Sequence, residues 1–207
     1  AWLKRHHPAA FLCGLLNSQP MGFYAPAQLI ADARKHGVDI RPADVSVSDW
    51  DCVLEATPHG AAPGVRLGLR MVKGMEQDAV RRIVAARAQA PVSTVDALTR
   101  RARLDRRQLG CLASGGALQS LAGHRHQAHW QAAARRPDAL LRDAPVNEQV
   151  LALAAPREGE DIVADYASLG FTLGRHPLAL LRSQLAAQRF ITAAELRRLP
   201  DRALART

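Results

Sequence analysis

A mainly α-helical chain is what this sequence predicts, on three observations. Apolar residues recur at helical spacing through much of the 207 residues. Glycine turns divide two successive helix pairs, at Lys73-Gly74-Met75 and at Ser114-Gly115-Gly116-Ala117-Leu118. Strand-like alternation is brief, as at Val38-Asp39-Ile40-Arg41-Pro42, where proline stops it.

The N-terminal region predicts a helix from Trp2 to Leu16, a loop over Asn17 to Tyr24, and a helix from Pro26 to His36. Pro26 suits a first helical turn and Gly37 a C-terminal stop. Asp49 and Asp51 flank Trp50 as turn and capping residues, and residues 57–64, rich in Pro and Gly, form a linker or hairpin tip. A short apolar helix at Leu69 and Val72 then meets the Gly74 turn, and Val80, Ile83 and Val84 line one face of the next helix. Glu76 is expected to cap that helix from its first turn. Thr94 and Asp105 are N-caps for helices carrying Val95 and Leu98, then Leu109 and Leu112. A further helix spans His124 to Arg135, and the two glycine-turn units form a weak internal repeat. Pro137, Pro145 and Pro156 mark a linker, after which helical pattern returns at Glu160 to Leu169, Pro177 to Leu185 and Ala193 to Leu199. Asp201 to Ala205 reads as the start of a strand.

Helix, glycine turn and basic helix over Leu69 to Arg87 make the layout of a helix-hairpin-helix, which grips nucleic acid by its backbone without reading bases. Unpaired N–H groups and the helix dipole favour an anion at the second helix's start. Arg70, Lys73, Arg81, Arg82 and Arg87 add positive charge. The chain carries a net charge of +9 with pI near 10.6, almost all from arginine, since Lys occurs only at 4, 35 and 73. Such a balance suits a polyanion, and Arg100, Arg101, Arg103, Arg106 and Arg107 are too dense for a core.

Other chemistries find little support. Aromatic residues make up 4%, too few for a base-stacking platform. Cys13, Cys52 and Cys111 lack metal or disulfide spacing. His124, His126 and His129 have no acidic or cysteine partner at ligand spacing, so no metal site is expected, and a metal-dependent enzyme built on them is the least favoured reading. Glu158, Glu160, Asp161 and Asp165 read as a solvated helix start. No phosphate-binding loop, nucleophile elbow or HExxH motif is present, so no catalytic residue is assigned. No apolar run reaches membrane length, and there is neither a signal peptide nor an initiator Met. The expectation is a cytoplasmic piece of a longer chain.

Leu3-Lys4-Arg5-His6-His7-Pro8-Ala9-Ala10-Phe11 resembles a helix of bacterial C-family DNA polymerases, the polymerase III alpha subunits. Asn17-Ser18-Gln19-Pro20-Met21-Gly22-Phe23-Tyr24 with Ala33-Arg34-Lys35-His36-Gly37-Val38 is similar to their error-prone paralogue. The likeness continues in order through Leu67-Gly68-Leu69, Val72-Lys73-Gly74, Gly116-Ala117-Leu118, Leu169-Gly170-Phe171 and His176-Pro177-Leu178.

This resemblance implies a fold and a division of labour. Residues 1–60 would be the C-terminal part of the polymerase fingers, residues 61–136 a tandem helix-hairpin-helix module holding duplex DNA, and residues 137–207 a linker and helical lead-in to an OB domain. The parent would extend a primer past damaged template from deoxynucleoside triphosphates, with Mg2+ and catalytic aspartates supplied elsewhere and mutagenesis accessory proteins as further partners. Within this chain Arg70, Lys73, Gly74 and Met75 would grip one backbone. Gly115, Gly116 and the Arg100, Arg101, Arg103, Arg106, Arg107 cluster would grip further phosphates. Lys4, Arg5 and His7 would approach the primer-template or nucleotide. No cofactor is expected in the segment itself. Gln149 to Leu153 resembles a clamp-binding motif only distantly, without its terminal aromatic, so the sliding clamp is not an expected partner here. The alternative is a free-standing, non-catalytic helix-hairpin-helix DNA-binding or adaptor protein.

Overall fold

The structure, a computed structural model, describes residues 2–57, 62–133, 151–200 and 204–206. The chain divides into two compact units, Ala1–Leu173 and Gly174–Thr207. The first begins with α1 (Trp2–His6), α2 (Pro8–Asn17) and α3 (Pro26–Lys35). The single helix expected from Trp2 to Leu16 is broken at His7 (φ −137°, ψ 60°), because Pro8 drives the residue before it out of helical geometry. Helices α2 and α3 pack together through Leu12, Leu16, Ile30 and Ala33, and Gly37 ends α3 with φ +77°.

A small sheet follows, with β1 (Ile40–Arg41), β2 (Val53–Glu55) and β3 (Gly64–Arg66) in the order β1-β3-β2. β3 runs parallel to β1, with Ile40 opposite Val65, and antiparallel to β2, with Leu54 opposite Val65. The expected hairpin tip therefore has strands on both sides, although residues 58–61 lie outside the described residues. Arg66 donates to both carboxylate oxygens of Glu55 (2.9 and 3.0 Å), and Arg41 adds a third bond at 2.8 Å. These bonds, that of Arg66 first, hold the Glu55 carboxyl below the usual carboxylate range. Beyond β3 the chain passes so close to the 50–51 backbone that a Cβ on Gly68 would lie 2.2 Å from the Trp50 carbonyl oxygen. Only glycine fits there.

A 3₁₀ turn (Leu69–Met71) leads through Gly74 into α4 (Gln77–Gln89), α5 (Val95–Ala102), α6 (Arg106–Ser114), α7 (Gln119–Ala122) and α8 (Arg125–Ala133). The Thr94 hydroxyl accepts from the Ala97 N–H and the Asp105 carboxylate from the Gln108 N–H, the caps read from the sequence. Leu69, Val72, Val80, Ile83, Leu98, Leu104, Leu112 and Leu118 are all at most 1% exposed. Each contributes about 1.5–3 kcal/mol by leaving water. Helix α9 (Glu158–Ser168) packs on α6 within this same unit. The sheet joins residues on both sides of position 60, and α9 joins the hairpins, so the compact units divide at 173/174.

The second unit holds α10 (Pro177–Leu180), α11 (Arg182–Ala187) and α12 (Ala193–Leu196), with a parallel bridge between Phe190 and Arg206. The helix expected from Pro177 to Leu185 is interrupted at Leu181, and that from Ala193 stops at Leu196. Most of the expected linker over residues 137–156, Gln149 and Val150, and positions 201–203 lie outside the described residues. Among the described residues no helix is long and apolar enough to cross a membrane.

Candidate nucleic-acid interface

The first hairpin is built by burying Leu69 and Val72 below the turn while Lys73 and Gly74 stay at the surface. Gly74 has φ +82°, and a Cβ there would meet Cys111 Sγ at 3.0 Å, so backbone and space both call for glycine. The first helical bond of α4 runs from the Val80 N–H to the Glu76 carbonyl, leaving the N–H groups of residues 77–79 at the helix mouth. Glu76 stands at the N-cap position but makes no side-chain cap. It accepts instead from Arg107 Nη1 at 2.8 Å and Gln108 Nε2 at 3.5 Å. The capping role expected of Glu76 gives way to attraction by the Arg107 charge.

That contact joins the two hairpins at the starts of α4 and α6, beside the arginine cluster. Arg103 ends α5 in the left-handed region (φ +49°), and Arg103 and Arg106 are exposed with no side-chain hydrogen bond or ion pair among the described residues. Arg107 is two-thirds exposed despite its bond to Glu76. Arg100 pairs with Asp96 one helical turn earlier. Arg101 donates to the Ala90 and Pro91 carbonyls, closing the α4–α5 connection.

Other expected phosphate contacts have internal work. Arg70 donates to the carbonyls of Asn17 (2.8 Å) and Gln19 (2.9 Å) and to Asp51 (2.7 Å), with its guanidinium over the Trp50 ring. Lys73 donates from its ammonium to the Ala167 (3.0 Å) and Tyr166 (3.3 Å) carbonyls and from its backbone N–H to Ser168. It thereby meets the orphan acceptors at the C-terminus of α9. Arg82 donates to the Ala102 carbonyl and Gln108, and Arg87 to the Val45 and Ser48 carbonyls and Asp49. Met75, Gly115 and Gly116 are buried, Gly115 against Val72 and Gly116 beside Arg125. Direct phosphate contact expected of those three gives way to packing, because Met75 is turned into the core at the first turn and the second glycine turn is covered.

Lys4 pairs with Asp32 at 2.8 Å and holds that carboxyl below its usual range. Arg5 is exposed at the end of α1, and His7 lies at the break before α2 with its ring 5.5 Å from Trp2. Asp49 and Asp51 lie in the segment before β2, each tied to an arginine, and neither caps a helix. The histidines do not converge as ligands: His124 bonds the Leu153 carbonyl, His126 the Ala154 carbonyl and His129 the Ser114 hydroxyl. Among the described residues no three His, Cys, Asp or Glu gather as a metal site.

Sequence reading misses Arg125. It is 6% exposed and bonds Asp161 and Asp165 at 2.5 Å each, so those acids clamp α9 to α8 rather than standing in solvent. Their spacing of four, which puts them on one helix face, is the signal that could have revealed it.

The helix-hairpin-helix motif family matches residues 37–128, enclosing both glycine turns and the arginine cluster. The whole chain is 63% identical to a segment of the error-prone DNA polymerase of Aromatoleum aromaticum. The chain matches error-prone DNA polymerases over its full length. Among them it is also 59% identical over its full length to the protein of Azoarcus sp., and 58% identical over 95% of its length to that of Alkalilimnicola ehrlichii. The chain spans about 20% of the length of the first two of these relatives and 19% of the third.

Proposed function

We propose that this chain is the duplex-holding part of an error-prone DNA polymerase, and that it binds the DNA backbone without regard to sequence. The observation that carries the reading is the exposed arginine cluster at the junction of two hairpins, in a chain matching error-prone polymerases over its full length. Among the described residues Arg103 and Arg106 present unpaired guanidinium groups to solvent, and Arg100 and Arg107 stand beside them in exposed ion pairs, a set of cations suited to phosphate contact. Residues 61–136 would be the tandem duplex-binding module, and residues 1–60 the C-terminal part of the fingers leading into it.

The parent polymerase would transfer nucleotides from deoxynucleoside triphosphates onto a primer opposite damaged template, in the cytoplasm. Mg2+, the catalytic carboxylates and contacts to mutagenesis accessory proteins would come from elsewhere in it. Lys4, Arg5 and His7 are the residues of this chain proposed to lie nearest the primer-template. Fluorescence anisotropy with duplexes of unrelated sequence tests the reading. Equal affinities that fall steeply with salt are expected; salt-independent binding, or preference for one sequence, would overturn it.

A further inference from the structure

We infer that Glu76 is a built-in competitor for DNA phosphate, an internal anion that sets how tightly the paired hairpins hold a duplex. This rests on the duplex-binding reading and adds a determinant of its strength. Glu76 follows the Gly74 turn directly, at the mouth of α4, where an anion is favoured. Yet its carboxylate does not cap its own helix. It reaches 31 positions along the chain to Arg107 and touches Gln108, the first-turn residues of α6. One carboxylate thus lies between the two hairpins, bonded to Arg107, the residue that follows the exposed Arg106 in the chain.

The pair is poised to exchange. Arg107 and Glu76 are 66% and 55% exposed, so their mutual attraction is weak in water. Gln108 keeps its bonds to Asp105 and Arg82 when Glu76 is released, so the helices need not rearrange. A duplex phosphate offers Arg107 an acceptor equally capable of bidentate pairing, with counterion release as an added gain, while an unremoved Glu76 carboxylate opposes the incoming charge. Glu76 therefore lowers affinity and removes about one cation from the set that can release counterions.

Titrating the full chain with a fixed 20-base-pair duplex across a salt series tests this. Glu76→Gln is expected to bind about fivefold more tightly near 50 mM salt, with a salt slope steeper by about 0.9. Glu76→Lys should gain more, and Arg107→Ala should abolish most of the Glu76→Gln gain. Circular dichroism checks the fold, which an exposed side chain should leave intact. A wild type that binds with salt dependence while Glu76→Gln is no tighter overturns the inference alone. A wild type with no salt-dependent binding overturns the duplex-binding reading beneath it.

Discussion

Arg125 shows how a single side chain can decide the placement of a helix. Its guanidinium is withdrawn from water and answered by two carboxylates one turn apart on α9. Arg125→Ala leaves Asp161 and Asp165 facing a charge that has gone, and should cost about 3–5 kcal/mol in denaturant unfolding; a loss below about 1 kcal/mol would mean that α9 is held by its apolar contacts alone. Gly74 is constrained differently. A Cβ there would strain a backbone at φ +82° and press on Cys111, so Gly74→Ala should destabilise by about 1–3 kcal/mol, read as a lower denaturation midpoint. Glu55 carries a pH signature. Arg66 and Arg41 lower its folded pKa, so its contribution is present above the ordinary carboxylate range, roughly pH 4.3, and fades as pH falls through the lower folded value. Unfolding of the wild type and Glu55→Gln should therefore differ at neutral pH and converge in acid.

Among the elements, those with a local chemical signal are the ones readable without coordinates. Thr94 and Asp105 announce α5 and α6 because a side-chain oxygen is needed where helical N–H groups have no partner. Thr94→Ala should accordingly lower stability by about 1 kcal/mol, measured by urea unfolding. Helix α4 is legible from the spacing of Val80 and Ile83, and α3 from Pro26 and Gly37. β2 and β3 are not, because three residues are too few to display a period of two and their pairing depends on partners distant in sequence. The break at His7 follows from Pro8, a signal present in the sequence itself. Sequence likewise marks the arginine cluster as a surface, but it cannot separate Arg103 and Arg106 from Arg101, Arg82, Arg87 and Arg70. That distinction depends on which backbone carbonyls the fold brings within reach.

In the first compact unit, the proposed phosphate grip rests on the arginine cluster at the junction between hairpins rather than on the glycine turns. Gly115, Gly116 and Met75 are spent on packing, and Lys73 already serves the carbonyls of α9. Arg103 and Arg106 remain as cations with no competing duty among the described residues. The most direct test of backbone binding by this junction is the salt slope of duplex affinity for the wild type and for Arg103→Ala combined with Arg106→Ala. The variant should fold normally, bind every sequence more weakly by the same factor, and lose about 1.8 from the slope, near 0.9 for each lost phosphate contact. A variant whose affinity and slope match the wild type would contradict the assignment of the DNA grip to this cluster.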